Sequence, residues 1–441
     1  MYFTIINQMD LKIKEDIQFE AFSVFSETHV KARENIVDLR NKIADSNTDI
    51  NDIGRLQQSL DNAMKLYNNV RIQQALKKQT LLNKLYQKNP QLDSTEIRQI
   101  VEAAINDYES EYKNCFILNS NGNIERETVE ITIPVYAKPT RSDMAVILVY
   151  FNACEYKKLA QNLLLTYQTL VRADIPVFLV EHCFRDQVPL FPENGTTIFN
   201  TKSESYMFYK ENLINWIMPK IPEQYTKFYM MDCDLLFEKA TWYDDVSALL
   251  DSHDIVQPFK IAIWLDSDLK SSVLKRDSFA YAIIENKPYS LVLTHPGFAW
   301  AARRDFIQPI GVFDINILGS GDTIFASSVL QLDTNNIEDM WIKYMNWCLP
   351  YYTEYYKRFD KVRVIYYSQN IYHLWHGSKV NRSYNTRYAD FNVICNKYNI
   401  KTKEAIFELN SYGVYEYKLE YREEFNNILL NYFKSRNEDG I

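Results

Sequence analysis

Residues Met144 to Phe151 read Met-Ala-Val-Ile-Leu-Val-Tyr-Phe, a run with no charge, no proline and no glycine. A strand that is apolar on both faces must be covered on both sides. Such strands belong to parallel sheets, whose crossover connections lay helices over each face. The residues that follow keep that rhythm. Leu159 to Val171 has helical spacing, Ile175 to Glu181 reads as a second strand, and Ser205 to Met218 reads as a helix ending near Pro219. Phe228 to Met231 is a third strand and Asp254 to Phe259 a fourth. A β-α-β-α-β order implies an open α/β sheet with helices on both faces. Ligands of such sheets bind beyond the carboxyl ends of the strands. Tyr150 to Asn152, Glu181 to Cys183 and Asp232 to Asp234 all fall there.

The third strand ends in Asp232-Cys-Asp234, between the apolar Phe228 to Met231 and Leu235 to Phe237. If the strand continues through them, alternation places both carboxylates on one face. Two like charges at the end of a buried strand are costly unless a cation or strong donors compensate them. Hard divalent ions such as Mg²⁺ and Mn²⁺ favour carboxylate oxygens and also bridge to phosphates. The same Asp-x-Asp pattern is common in ordinary turns, so its meaning depends on what else converges there.

Two further clusters bear on that. The first is His295-Pro-Gly-Phe-Ala-Trp-Ala-Ala-Arg-Arg304, followed by Gly319-Ser-Gly-Asp322. Asp322 on this constrained loop reads as a general base, or as a helix cap before the apolar Ile324 to Leu330; both can hold at once. The second is Tyr372-His-Leu-Trp-His-Gly-Ser-Lys379, preceded by a strand over Val362 to Tyr367. Histidines three apart, His373 and His376, can reach one metal as neutral imidazoles. Lys379, Arg382 and Arg387 would complement a diphosphate.

Composition narrows the alternatives. The chain has 441 residues and a net charge of -8, so a broad nucleic-acid footprint is disfavoured, because phosphate backbones need clustered Lys and Arg. Its six cysteines form no Cys-x-x-Cys pair and read as reduced thiols of a cytoplasmic protein. No apolar run approaches the length of a membrane span, and the first residues lack the features of a signal peptide.

Before residue 116 the pattern is helical. Phe19, Phe22, Ile36, Leu39 and Ile43 mark one helix, and Leu60, Ala63, Tyr67 and Val70 a second. Asp93 with Glu96 opens a third. Residues 1–115 thus read as a helical hairpin, bundle or coiled coil, serving homo-oligomerisation, partner docking or packing. Residues 116–390 read as the α/β domain. Residues 391–441 read as a helical packing segment, with Tyr421, Phe425, Ile428, Leu429 and Phe433 at helical spacing.

Taken together, Asp232-Cys-Asp234, Gly319-Ser-Gly-Asp322 and His373-Leu-Trp-His376 resemble, in type and order, the motifs of metal-dependent glycosyltransferases of the GT-A fold, in particular the β-1,4-galactosyltransferase branch. That fold is a Rossmann-like mixed sheet flanked by helices. Tyr209-Lys-Glu-Asn212, His295 to Arg304 and His373 to Arg387 also resemble blocks in viral and bacterial glycosyltransferase-like proteins. The resemblance spans about residues 140 to 390. It implies a nucleotide-sugar donor, a UDP-sugar, and a glycan, protein or modified-base hydroxyl as acceptor. It implies Mn²⁺ or Mg²⁺ held by Asp234, with His376 opposite, His373 assisting, and Asp232 on a metal-bound water or the ribose. Asn152 and Glu181 would line the nucleoside pocket, and Lys210, Lys379 and Arg382 would hold the donor. Asp322 would be the base of an inverting transfer. The family carries a longer acidic run at the Gly-rich loop and Met where this chain has His373. Nucleotidyl transfer, which also uses paired aspartates and Mg²⁺, and a helical interaction protein with a degenerate sheet domain are the competing readings.

Overall fold

The computed structural model describes residues 133–287, 289, 294–332, 346–382 and 387–440, with the backbone of three short strands before them. The helices expected over 1–115 lie outside the described residues. The chain divides into two compact units, Met1–Arg126 and Glu127–Ile441. In the first, Ile117–Leu118 pairs antiparallel with Ile124–Glu125. Everything below concerns the second.

A seven-stranded mixed sheet forms its centre. The apolar run forms β1 (Met144–Phe151), followed by α1 (Lys157–Arg172), β2 (Val177–Phe184) and β3 (Ile198–Ser203). Next come α2 (Lys210–Ile217) and β4 (Lys227–Met231). Strands β4, β1, β2 and β3 lie side by side and parallel; the first three are those the apolar patterning implies, whereas β3, with its polar Asn200-Thr-Lys-Ser203, was not expected. Beyond β4 stand β10 (Ala299–Arg303), then β6 (Ile255–Gln257) and β11 (Val364–Tyr366); β10 runs antiparallel to both its neighbours. Ala301 and Ala302 of β10 are fully buried.

Helix α2 begins five residues later than its apolar spacing predicts. Before it, Ser205 is tied by its hydroxyl to the Tyr417 amide, and the Phe208 amide bonds the Ile317 carbonyl. Those long-range contacts keep residues 205–208 out of the helix against local propensity. At its other end Pro219, in the 3₁₀ turn Met218–Lys220, stops the helix.

A second, smaller sheet was not legible in the sequence. It contains β5 (Leu235–Phe237), β7 (Ile261–Leu265), β8 (Ser271–Ser278), β9 (Thr294–His295) and β12 (Asn370–His373). Its order is β9-β8-β7-β12-β5, with Glu127–Thr128 paired to β8. The chain passes from one sheet to the other through Asp232–Asp234. The two aspartates therefore occupy a turn between β4 and β5, not one continuous strand, and the single-face expectation gives way to two directions.

The remaining helices cover the main sheet. They include α3 (Trp242–Leu249), α4 (Phe279–Ile284), α5 (Arg304–Ile310), α6 (Gly321–Val329), α7 (Leu349–Lys357) and α8 (Arg387–Lys397). The last stretch is not wholly helical. After the short α9 (Lys403–Ile406) it forms a hairpin of β13 (Phe407–Leu409) and β14 (Tyr415–Tyr417) before α10 (Leu419–Ser435). Phe425, Leu429 and Phe433 of α10 join the same core as Phe178, Phe228 and Phe325, so this segment is part of the central body.

Candidate functional site

Backbone pairing brings the predicted residues together. His373 on β12 lies opposite Leu235 on β5, and the Leu374 amide donates to the Asp234 carbonyl at 2.8 Å. That ladder sets Asp234 beside the His373-Leu-Trp-His376 segment. On the other side the Asp232 amide donates to the Phe298 carbonyl at 2.9 Å, which sets Asp232 beside the His295–Phe298 loop.

The two aspartates serve different partners. Asp234 Oδ2 lies 2.8 Å from His376 Nε2 and 3.5 Å from His373 Nε2. One donor atom from each of the three residues falls within 4.8 Å of the others. Asp234 Oδ1 is buried without a hydrogen-bond partner among the described residues. Asp232 instead meets Lys210, the first residue of α2, at 2.6 Å. Lys210 also reaches Asp322 Oδ1 at 2.8 Å. Asp232 therefore stands next to the Asp-His-His group rather than within it.

Asp322 sits in the first turn of α6. The turn before it has positive φ at both Gly319 and Ser320, 84° each. Two contacts hold it: Arg387 donates to the Ser320 hydroxyl, and the Tyr388 hydroxyl donates to the Gly319 carbonyl. The cap position itself is Ser320, so Asp322 does not cap the helix as the sequence suggested but lies within its first turn. Its Oδ2 lies over Gly297, where any side chain would overlap the carboxylate.

Electrostatics divide the site in two. Burial pushes the Asp234 carboxyl up, but His373, His376 and Arg382 outweigh it and hold it below its ordinary range. Burial and Arg382 pull His376 down, yet Glu438 and Asp234 win and raise it. Burial lowers Lys210, but Asp232 and Asp322 more than offset that and leave it well above its usual value. Asp232 is pushed up to about 7 by burial, against Lys210 and with Asp322 and Asp234. Glu211, next to Lys210, is pushed up to about 8, again chiefly by burial. Lys210 is thus the cation shared by Asp232 and Asp322, while Asp234 faces His373, His376 and Arg382.

The donor set meets the demands of a divalent ion. It offers one carboxylate and two imidazoles, and the second oxygen of that carboxylate is buried and unsatisfied among the described residues. Other predicted residues have different duties. Glu181 is 3% exposed, and its two oxygens accept the Leu190 and Phe191 amides at 2.7 and 2.9 Å. Burial raises its carboxyl despite those bonds. Asn152 bonds the Tyr150 hydroxyl and both backbone groups of Tyr156, which closes the loop into α1. Arg387 goes to Ser320 and Tyr432. Arg382 contacts Glu438 at 3.3 Å and lies against the His376 ring. The Lys379 side chain lies outside the described residues.

Two residues of this site were not found from the sequence. Glu211 stood inside the quoted Tyr209-Lys-Glu-Asn212 block, so its signal was present. Glu438 bonds His376 Nδ1 at 2.6 Å from 62 residues away, in a polar stretch with no pattern of its own.

The class defined so far is an α/β protein with two mixed sheets and an Asp-His-His group at their junction. No helix among the described residues is long and apolar enough to cross a membrane. No protein-family model matches the chain, and no curated protein matches it. Among solved structures, it aligns with the catalytic domain of Drosophila beta1,4-galactosyltransferase 7 in complex with xylobiose. The identity is 15% and the TM-score 0.25, over 43% of this chain and 62% of that one. The chain thus spans under two thirds of that domain, and a likeness this slight carries no inference about activity.

Proposed function

We propose that this chain is a metal-dependent glycosyltransferase that moves a sugar from a nucleotide-sugar donor to a hydroxyl acceptor. The observation that carries the reading is the junction itself. The Asp234, His373 and His376 donor group lies one residue from an Asp232–Lys210–Asp322 chain of ion pairs. Asp234, His373 and His376 would hold the ion. Two imidazoles in the set favour Mn²⁺ over Mg²⁺, which prefers oxygen ligands and retained waters. When bound, such an ion supplies Lewis acidity toward a departing diphosphate.

The chain's own residues do the rest. Lys210 grips Asp322 through Oδ1 and leaves Oδ2 free above Gly297. From there Asp322 would take the acceptor hydroxyl proton in an in-line displacement at the anomeric carbon. With one base and no second nucleophile assigned, the transfer inverts configuration. Asp232, held by Lys210, would face the ribose. Lys379 and Arg382 would complement the diphosphate of a UDP-sugar. Asn152 and Glu181 would shape the nucleoside side by fixing their loops, since their side chains are bonded to backbone.

The test is thermal stabilisation by a panel of nucleoside diphosphates and nucleotide sugars, with and without Mn²⁺. A ligand at a hundred times its Kd adds about 2.7 kcal/mol. Metal-dependent stabilisation by one donor, lost in Asp234→Ala and His376→Ala, supports the reading. No shift with any donor, from folded protein, overturns it.

A further inference from the structure

We propose that Glu438 is a positioning residue for His376, holding the ring with Nδ1 protonated and Nε2 turned toward Asp234 and His373. This rests on the reading that Asp234, His373 and His376 hold a divalent cation. The His376 ring stands between two carboxylates. Glu438 Oε2 lies 2.6 Å from His376 Nδ1, while His376 Nε2 lies 2.8 Å from Asp234 Oδ2 on the far side of the ring. A carboxylate only accepts, so a contact this short requires the proton on Nδ1. Asp234 is also an acceptor, so with no ion bound the 2.8 Å contact places a proton on Nε2 as well. A cation that displaces that proton would meet the Nε2 lone pair while Glu438 keeps the proton on Nδ1.

Arg382 offers the opposing possibility, since its Nη2 also stands 3.0 Å from Nδ1. Were it donating there, Glu438 would face a nitrogen lone pair across 2.6 Å. Arg382 instead lies 3.3 Å from Glu438 and, with Arg436, pairs with that carboxylate. Glu438 is 2% exposed and is paired with both guanidinium groups, an arrangement that suits the carboxylate anion, able only to accept.

The segment that carries Glu438 is pinned at several points, which gives the contact its fixed direction. Asp439 accepts the Lys157 and Lys158 amides at 3.2 and 2.7 Å, capping α1, which has no side-chain cap of its own. The Tyr156 hydroxyl donates to the Phe433 and Lys434 carbonyls. Gly377, with φ +74°, lets the chain after His376 pass the Asn437 carbonyl; a Cβ there would stand 2.6 Å from that oxygen. Residues 436–440 thus form a strap whose buried carboxylate faces the outer nitrogen of a candidate ligand. Partners of this kind, beyond the ligands themselves, fix ring orientation and raise ligand basicity.

The experiment uses the full chain. Mn²⁺ affinity is measured by calorimetry for wild type, Glu438→Gln and Glu438→Asp, with circular dichroism as the folding check. The expected result is a fall of about 10- to 100-fold in Glu438→Gln, partly recovered in Glu438→Asp. In parallel, ¹⁵N NMR of the wild type loaded with diamagnetic Zn²⁺ reads the His376 nitrogens directly. A protonated, strongly hydrogen-bonded Nδ1 supports the proposal, and a protonated Nε2 overturns it, even where neither variant folds. Unchanged Mn²⁺ affinity in folded Glu438→Gln overturns the role of Glu438 alone. A wild type that binds no Mn²⁺ overturns the metal reading and this role with it.

Discussion

Replacing Lys210 by Met tests how the site balances its charge. Lys210 is 11% exposed and joins Asp232 and Asp322 at 2.6 and 2.8 Å, so the change strips both carboxylates of one shared cation. Removing one partner of a buried pair typically costs about 3–5 kcal/mol, because the other charge stays behind. Asp232 and Asp322 keep 27% and 33% of their side-chain surface in solvent. Water therefore compensates in part, and the lower end, about 3 kcal/mol, is expected. That is a sizeable share of a total of about 5–15 kcal/mol. The penalty depends on pH with a definite sign. Asp232 is raised from 3.8 to about 7, so its contribution is full below 3.8 and is lost as pH rises through about 7. Without the opposing ammonium that loss is steeper, so the gap between variant and wild type widens as pH rises. Urea unfolding in the absence of metal at several pH values measures it, and excess Mn²⁺ should narrow the gap. A difference within about 0.5 kcal/mol at every pH, as for an ordinary surface change, would refute the charge balance proposed.

Other expectations follow from the same geometry. Glu211, raised from 4.5 to about 8, favours the fold when protonated; its contribution is full below 4.5 and is lost as pH climbs toward 8. Glu211→Gln should flatten thermal stability across that window, and an unchanged slope would count against it. Gly297→Ala places a methyl group on the Asp322 carboxylate and should lower kcat of the proposed transfer while leaving Mn²⁺ affinity intact. Equal kcat would remove Asp322 from the base role. Glu181→Ala deprives the Leu190 and Phe191 amides of their acceptor and should cost about 1–3 kcal/mol. Limited proteolysis should then cut within 185–197 faster than in wild type.

How much of this was legible in the sequence follows the range of the interactions. Met144–Phe151 and Lys227–Met231 declare themselves because central parallel strands are apolar on both faces. The residues that join at the site were readable as types: two aspartates, a histidine pair and an aspartate after a Gly-rich turn. Their division into two groups was not, since it depends on the turn at Asp232–Asp234 that carries the chain between sheets. The second sheet escaped notice for a local reason. Ser271–Ser278 reads Ser-Ser-Val-Leu-Lys-Arg-Asp-Ser, without clean alternation, and is ordered by pairing with Ile261–Leu265. The helix expected from Ser205 lost its first turn to bonds with Tyr417 and Ile317, both distant in sequence. Glu438 was invisible for the same reason, because its significance lies entirely in a residue 62 positions earlier.

Pulsed EPR of the Mn²⁺-loaded chain with a nucleoside diphosphate tests the central claim most directly. The account predicts ¹⁴N couplings from two imidazoles together with a ³¹P coupling on the same ion, the nitrogen signals reduced in His373→Ala and His376→Ala. Mn²⁺ bound without imidazole nitrogen, or with nitrogen but no phosphorus coupling at saturating nucleotide, would contradict it.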